Sequence, residues 1–367
     1  MKSLVPVNVL TGFLGSAKTT QLNRLLRQPA FGQCAVLINE FGAVGIDHHL
    51  IERAEGDLVL LKSGCICCTI RGDLAEAIRR LHDRHECGEV PAYDRIVIET
   101  TGLADPMPVL ATILHDRVLR HHYRAGNVLA TVDSLNGAGQ LEEYPESRKQ
   151  AALADRLLLT KTDLCSADAV RTLRERLSEV NPAAEIIELG GGEPDADLLL
   201  GSDIFSADGK AVEVARCLRA AGALQYFPVH RGDSGLHRDI QSFVLTMPDE
   251  VEWAAFSLWL SLLLHRHGTR VLRIKGLLAV RGSAEPVVLH GVQQLIHPPS
   301  HLREWPSGTR ASRIVFIVRG LSPQGVEDSL KAGAARRRLT FQPVRGGSKQ
   351  SLPCGNTVQK TSVWGPP

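Results

Sequence analysis

Short apolar runs, β-branched or rich in leucine, recur between Val5 and about Leu189, each followed by a stretch of helical period. They are Val5 to Leu10, Cys34 to Asn39, Leu58 to Leu61, Arg95 to Glu99, Val128 to Val132 and Arg156 to Thr160. Most are continuous rather than alternating, the pattern of strands covered on both faces. Strands that alternate with helices predict an α/β fold with a parallel sheet and helices on both sides. A Gly-, Asp- and Ala-rich stretch from Gly190 to Lys210, followed by an uninformative region to about Arg238, reads as a linker.

A different pattern begins at Ile240. The run Ile240 to Met247 is strand-like, and Pro248-Asp249-Glu250-Val251-Glu252 offers Asp249 as N-cap with Glu252 three residues on. The helix that follows has the apolar stripe Trp253, Phe256, Leu260, Leu263 and Leu264, with Gly268 where a C-terminal cap belongs. Strands are expected at Val271 to Val280, Val287 to Ile296 and Arg313 to Val318, and a short helix near Glu327 to Lys331. This predicts a smaller α+β domain with an antiparallel sheet. The expected division is 1–225, 236–331 and a tail, 332–367, whose Gly-, Ser- and Pro-rich sequence reads as disordered.

The length of 367 residues agrees with two domains. Charge is balanced, 42 basic against 40 acidic residues, which argues against a globally basic nucleic-acid binder. The seven Lys and Arg from Lys331 onward are accompanied by no Asp or Glu, so the basicity sits in the tail. The α+β region also lacks the interleaved aromatic and basic pattern of an RNA-binding sheet. No run approaches the roughly 18 apolar residues of a membrane helix, and no signal-peptide pattern opens the chain, so a cytoplasmic protein is expected. Three of the eight cysteines, Cys65, Cys67 and Cys68, fall within four residues. In a reducing compartment that spacing suggests metal or redox chemistry rather than cross-linking.

The first apolar run leads into Gly12-Phe13-Leu14-Gly15-Ser16-Ala17-Lys18-Thr19-Thr20 and then a helical stretch. A strand, loop and helix in this order are what a phosphate-binding loop needs, because backbone N–H groups and a helix N-terminus must converge on phosphate oxygens. Lys18 is then placed for the β- and γ-phosphates and Thr19 for magnesium. The pattern expects Gly immediately before the lysine, where this chain has Ala17. If that position needs φ > 0, the Cβ costs roughly 1–2 kcal/mol. Ile96-Val97-Ile98-Glu99-Thr100-Thr101-Gly102 ends a strand with a carboxylate suited to magnesium or the attacking water, and Gly102 can donate its N–H to the γ-phosphate. In Thr160-Lys161-Thr162-Asp163, the carboxylate of Asp163 can accept from both N1–H and N2–H₂ of guanine, which favours GTP over ATP. Asn is usual where Thr160 stands, so an amide contact to the base is expected to be lost or reduced to a hydroxyl contact.

In Gly64-Cys65-Ile66-Cys67-Cys68-Thr69, three thiolates reach one ion only if the segment turns, which Gly64 allows. Thiolates favour zinc, copper(I) or similar soft ions, and three leave one tetrahedral position open. Buried structural cysteines and a redox pair are the alternatives.

GFLGSAKTT, NEFGAVGIDH, GCICCTIRGDL, IETTGLADP and TKTDL, in this order and spacing, resemble the CobW-like family of metal-chaperone GTPases. The region from Gln241 through HGVQQLIHPP to WPSGTRASRIVFIVRGL resembles that family's C-terminal domain. The resemblance implies GTP hydrolysis, with Mg2+, coupled to delivery of Zn2+ (or Co2+) to a client metalloprotein. It places the phosphate loop on Gly12, Gly15, Ser16, Lys18, Thr19 and Thr20, and the metal motif on Cys65, Cys67 and Cys68. It also places the switch carboxylate on Glu40, the hydrolysis motif on Glu99 and Gly102, and the base motif on Lys161 and Asp163. Many members have a second carboxylate where this chain has Ala43. A nucleotide-binding metal sensor that hydrolyses GTP poorly is the competing expectation, favoured by Ala17.

Overall fold

The computed structural model describes residues 4–31, 33–38, 51–55, 58–61, 66–69, 73–190, 195, 197–201, 240–305 and 310–336. Asn39, Glu40, Gly64, Cys65, the tail from 337 onward and most of the linker lie outside the described residues.

In chain order the first part comprises β1 (Val5–Gly12), α1 (Lys18–Leu26), β2 (Cys34–Ile38), β3 (Ile51–Glu55), β4 (Leu58–Leu61), β5 (Ile66–Thr69), α2 (Leu74–Glu86) and β6 (Arg95–Glu99). It continues with α3 (Met107–His115), β7 (Tyr123–Asp133), α4 (Gly137–Glu143), α5 (Pro145–Leu153), β8 (Arg156–Thr160), α6 (Ala167–Val180) and β9 (Glu185–Leu189). Among the described residues these strands form a nine-stranded sheet in the order β3-β4-β5-β2-β6-β1-β7-β8-β9. From β5 to β9 every pairing is parallel, whereas β3–β4 and β4–β5 are antiparallel. The continuous apolar strands are buried on both faces, as their pattern requires. Ile78, Leu110 and Leu153 pack with Val7, Val9 and Ile98 on one side. Leu22, Leu25 and Leu26 pack with Leu10, Val36 and Val97 on the other.

β7 begins five residues before the expected Val128 because polar and glycine positions hide its first half. There the β1–β7 register shifts between Val7 and Val9, and Asn8 Oδ1 accepts from Asn127 N at 2.8 Å. A Cβ on Gly126 would lie 2.4 Å from the same oxygen, which explains the glycine. Within the expected linker, the single turn Asp197–Gly201 packs into the first core through Leu199 and Leu200.

The second part comprises β10 (Ile240–Met247), α7 (Trp253–His267), β11 (Val271–Leu278), β12 (Val287–Val292), β13 (Leu295–Ile296), β14 (Ser300–His301), β15 (Ser312–Arg319) and α8 (Pro323–Arg336). Its antiparallel sheet runs β10-β15-β11-β12-β13, with β14 on β12. The N-cap of α7 is Glu252, which accepts from Ala254 N and Ala255 N at 3.1 and 2.8 Å, not the expected Asp249. Val251 N donates to Ala279 O at 2.7 Å, holding the chain extended beyond Asp249. The buried stripe consequently includes Trp259, while Trp253 remains 37 % exposed. Gly268 has φ −57°, so the αL cap is not its role. A Cβ there would fall 2.5 Å from Leu264 O. The expected strand Val287 to Ile296 is a hairpin, turning at Gln293 with φ 51°.

α7 and α8 cover one face of this sheet. On the other face Leu272, Val292, Leu295 and Ile317 join the core that contains Ala152 and Leu153 of α5. Asp155 is buried at this junction, paired with Arg273 and, at 2.9 Å, with Lys275.

Candidate nucleotide site and metal motif

The phosphate loop lies at the carboxyl end of β1, in the centre of the sheet. Gly12 has φ +146°, and a Cβ on it would stand 2.2 Å from Thr131 Oγ1 and 2.5 Å from Thr131 O, so only glycine fits against β7. Ser16 Oγ contacts Phe13 O and Thr131 Oγ1, each at 2.7 Å, which closes the loop on itself and fastens it to β7. Ala17, at φ 64° and ψ 31°, is in the left-handed region, which meets the condition under which its Cβ is costly, and is the N-cap of α1. Lys18 follows, 8 % exposed, with Nζ donating to Gly12 O at 3.0 Å and Phe13 O at 3.2 Å. Its ammonium therefore lies across the loop that is to receive phosphate. Gly15 is exposed, as is Thr20.

Thr19 Oγ1 donates to Glu99 Oε1 at 2.6 Å, although the two residues are eighty positions apart. The parallel register Leu10↔Glu99 brings them together by placing the end of β6 beside the start of the loop. A hydroxyl and a carboxylate form a hard oxygen donor pair of the kind magnesium takes. Thr100 Oγ1 donates to Thr11 Oγ1 at 2.9 Å, locking the two strand ends. Gly102 is packed on the phosphate loop, where a Cβ would meet Leu14 Cδ2 at 2.5 Å and Leu14 Cα at 3.0 Å.

At the end of β8, Thr160 is fully buried. Its hydroxyl donates to Ser16 O at 3.1 Å and to Val132 O at 3.2 Å. The hydroxyl thus ties the base motif to the phosphate loop, a role the sequence does not mark. Lys161 takes the left-handed conformation at φ 57°, and its Nζ pairs with Asp133 Oδ2 at 2.9 Å. Burial pushes the Asp133 carboxyl up. Hydrogen bonds from Lys161, Asn136 and Leu135 outweigh that and leave its pKa below the ordinary value. The carboxylate thus stays charged and holds the lysine stem in place. Asp163 is exposed in the short turn Thr162–Leu164, available to an incoming donor pair.

Sequence reasoning missed Asp133, Thr131 and Gln150. Asp133 ends a strand in the run Asp133-Ser134-Leu135-Asn136, a signal as strong as that of Glu99 but attached to no familiar motif. Gln150 lies in a helix with nothing in its neighbours to mark it.

Of the metal motif, Cys67 and Cys68 are placed in β5, where the backbone is extended rather than turned. Cys65 and Glu40 lie outside the described residues, and among those described no group of three His, Cys, Asp or Glu side chains could hold a metal ion. In register, Cys67 pairs with Val36 and Cys68 with Leu37. These in turn pair with Val97 and Ile98 of β6.

A sequence model of the CobW/HypB/UreG nucleotide-binding domain matches residues 6–188, and one of the cobalamin synthesis protein CobW C-terminal domain matches residues 240–334. The chain is 32 % identical over 313 residues to the zinc chaperone YjiA of Escherichia coli (strain K12), covering 85 % of this chain and 93 % of that protein. It is 29 % identical over 369 residues to the zinc chaperone CobW of Pseudomonas aeruginosa, covering 91 % and 93 %. The solved structure of Zn(II)-bound YjiA GTPase from E. coli superposes with a TM-score of 0.69 at 30 % identity, over 90 % of this chain and 99 % of that one.

Proposed function

The chain belongs to the CobW/HypB/UreG family and is a P-loop GTPase with a CobW-type C-terminal domain; from that premise we propose that it is a metallochaperone that hydrolyses GTP to hand zinc to a client protein. Lys18 exchanges its contacts with Gly12 O and Phe13 O for the β- and γ-phosphate oxygens of GTP. Thr19 and Glu99 hold magnesium, which when bound neutralises charge building on the phosphates. Gly102 donates its N–H to the γ-phosphate, and Glu99 orients the attacking water. Asp163 accepts from guanine N1–H and N2–H₂, while Lys161, anchored by Asp133, supports the base. Cys65, Cys67 and Cys68, with Glu40, carry the zinc as cargo. Their soft thiolates suit zinc or cobalt better than magnesium.

The observation that carries this reading is the sheet register. The strand bearing Cys67 and Cys68 is separated only by β2 from the strand that ends at Glu99, and Ile38 pairs with both Thr69 and Glu99. A nucleotide-dependent shift at the end of β6 therefore has a short hydrogen-bonded route to the metal motif. By linkage, zinc must then alter the relative affinity for GTP and GDP by the factor by which nucleotide alters zinc affinity. A chelator-competition titration in the two nucleotide states should show roughly a 5- to 150-fold difference. Equal zinc affinity in both states would refute nucleotide-driven transfer. Ser in place of all three cysteines should abolish the difference and leave GTP binding intact.

The left-handed Ala17 favours a second reading, a metal sensor with slow turnover. Phosphate release measured with and without zinc separates it from the first. No helix among the described residues is long and apolar enough to cross a membrane, and we place the client and the reaction in the cytoplasm.

A further inference from the structure

Gln150 is 2 % exposed in the middle of α5, and its Nε2 donates to Gly102 O at 3.2 Å and to Ala104 O at 3.0 Å. Both carbonyls belong to the loop that follows Glu99. Within the loop, Ala104 N donates to Thr101 O at 3.0 Å. The neighbouring Lys149 reaches the same loop, pairing with Asp105 at 2.5 Å while Asp105 Oδ1 accepts from Met107 N at 3.0 Å. Tyr144, at the start of α5, packs against Phe13 of the phosphate loop with ring centroids 4.7 Å apart and planes tilted by 34°.

The far end of the helix is immobilised as well. Asn181 Nδ2 donates to Ala151 O, Ala152 O and Ala154 O at 2.8, 3.2 and 2.9 Å, and Arg273 donates to Leu153 O from the second domain. Gln150 therefore extends from a fixed support. Its Oε1 accepts nothing among the described residues, and a buried acceptor without a partner is costly. What the side chain supplies is its pair of N–H donors.

We propose that Gln150 is a positioning residue for GTP hydrolysis, bracing the Gly102 loop against the phosphate loop so that Gly102 N–H meets the γ-phosphate as charge develops on it. This rests on the assignment of Gly102 to the γ-phosphate. Fixing Gly102 O and Ala104 O sets the Gly102–Leu103 and Ala104–Asp105 peptide planes, while Thr101 O, held by Ala104 N, shares its peptide with Gly102 N–H, so the short glycine-containing turn loses its freedom as a unit. Such a brace acts in the transition state more than on ground-state binding, because a misplaced donor loses the developing charge while most nucleotide contacts persist.

Gln150→Leu keeps the volume and removes both donors. With two hydrogen bonds lost, kcat should fall roughly 10- to 100-fold while KM for GTP stays within about threefold. Gln150→Glu supplies a readout that packing alone would not move. As a carboxylate it faces two carbonyl oxygens with no donor, whereas the protonated acid can donate to one of them. Burial raises the pKa of such a carboxyl. The ratio of its kcat to that of the natural protein should therefore rise as pH is lowered from about 8 to about 5.5, and the Leu variant should show no such rise. The Glu ratio decides the matter even if the Leu variant fails to fold. Natural kcat in the Glu variant, or a deficit independent of pH, would overturn the proposal. Lys18→Ala, assayed alongside, keeps the two readings distinguishable. Turnover persisting there overturns the phosphate-site assignment itself, whereas its loss with unaltered Gln150 variants overturns only the brace.

Discussion

Ala17 offers a quantitative test of how this chain builds its phosphate loop. Its φ of 64° puts a Cβ in the left-handed region, and Ala17 O accepts from Gln21 N at 3.0 Å, so the conformation is hydrogen-bonded into the first turn of α1. The strain is thus part of the fold. Ala17→Gly removes about 1–2 kcal/mol of left-handed strain. It also restores about 0.4–1 kcal/mol of entropy to the unfolded chain, which opposes the gain. The balance is a stabilisation of between about 0 and 1.6 kcal/mol, centred near about 0.8, or an increase of up to about 6 °C in the melting temperature of a domain this size. Because α1 already fixes the conformation, GTP affinity should change less than twofold.

Thermal melts of the nucleotide-free and GDP-loaded protein, with fluorescent-nucleotide titrations, would measure both quantities. Ala17→Val is the complementary arm. A β-branched side chain is worse tolerated at positive φ, and the variant should melt below the natural protein. A Gly variant that melts lower, by the entropy alone, would show that no strain is stored at Ala17. A gain confined to nucleotide affinity would show that the strain belongs to binding and would strengthen the slow-turnover reading.

Lys18→Ala should abolish GTP turnover while leaving far-ultraviolet circular dichroism unchanged, and turnover near the natural rate would remove the loop from the mechanism. Asp163→Asn should shift preference from GTP toward xanthosine triphosphate, whose C2 carbonyl accepts from the new amide; a competition assay in which GTP still wins strongly would displace Asp163 from the base site. Asp155→Asn leaves Arg273 and Lys275 without their buried carboxylate and should cost about 3–5 kcal/mol in urea unfolding, while a loss below 1 kcal/mol would show the cluster to be hydrated. The domain junction should also weaken in acid. Burial pushes His297 down to about 4 and holds His290 well below its usual value, so below about pH 6.5 the unfolded chain takes up protons that the folded chain refuses. Burial would raise the Asp155 carboxyl, but Arg273 and Lys275 hold it well below the usual range, so its contribution is present above about pH 4 and lost only under stronger acid. Stability that is flat from pH 7 to pH 5, or that falls equally in His297→Gln, would contradict the assignment.

The strands of the first domain were legible because burial on both faces leaves an uninterrupted apolar run, as in Arg95–Glu99 and Arg156–Thr160, whose ends the structure reproduces. The start of β7 was not, since its early positions are held by the side-chain bond from Asn8 rather than by apolar packing. Its place in the motif marks Ala17 as a departure and raises positive φ only as a condition, which the structure then meets. Thr160 did not show its role, because whether a hydroxyl turns toward a base or toward Ser16 O depends on how two strand ends meet. Capping failed similarly at Asp249, where the bridge from Val251 to Val280 decides where the helix begins. Gln150 lay beyond reach for the same reason, as its two acceptors are more than forty residues away in sequence.

The junction between the two sheets shows how apolar and ionic contacts divide their work. Leu272, Val292, Leu295 and Ile317 meet Ala152 and Leu153, and removing that area from water favours association without specifying angle. Arg273 and Lys275 occupy alternate positions of one strand and converge on one carboxylate, Asp155, whose other oxygen accepts from Val128 N at 2.9 Å. Such a cluster adds little net affinity, since water would solvate each charge as well if the sheets parted. A sheet docked one pleat away, however, would bury the same charges unpaired, at several kcal/mol each. The apolar patch therefore holds the domains together and the ions select a single orientation. The end of α5 is fixed between them, and that fixity is what allows a glutamine halfway along the helix to hold a loop beside the phosphates.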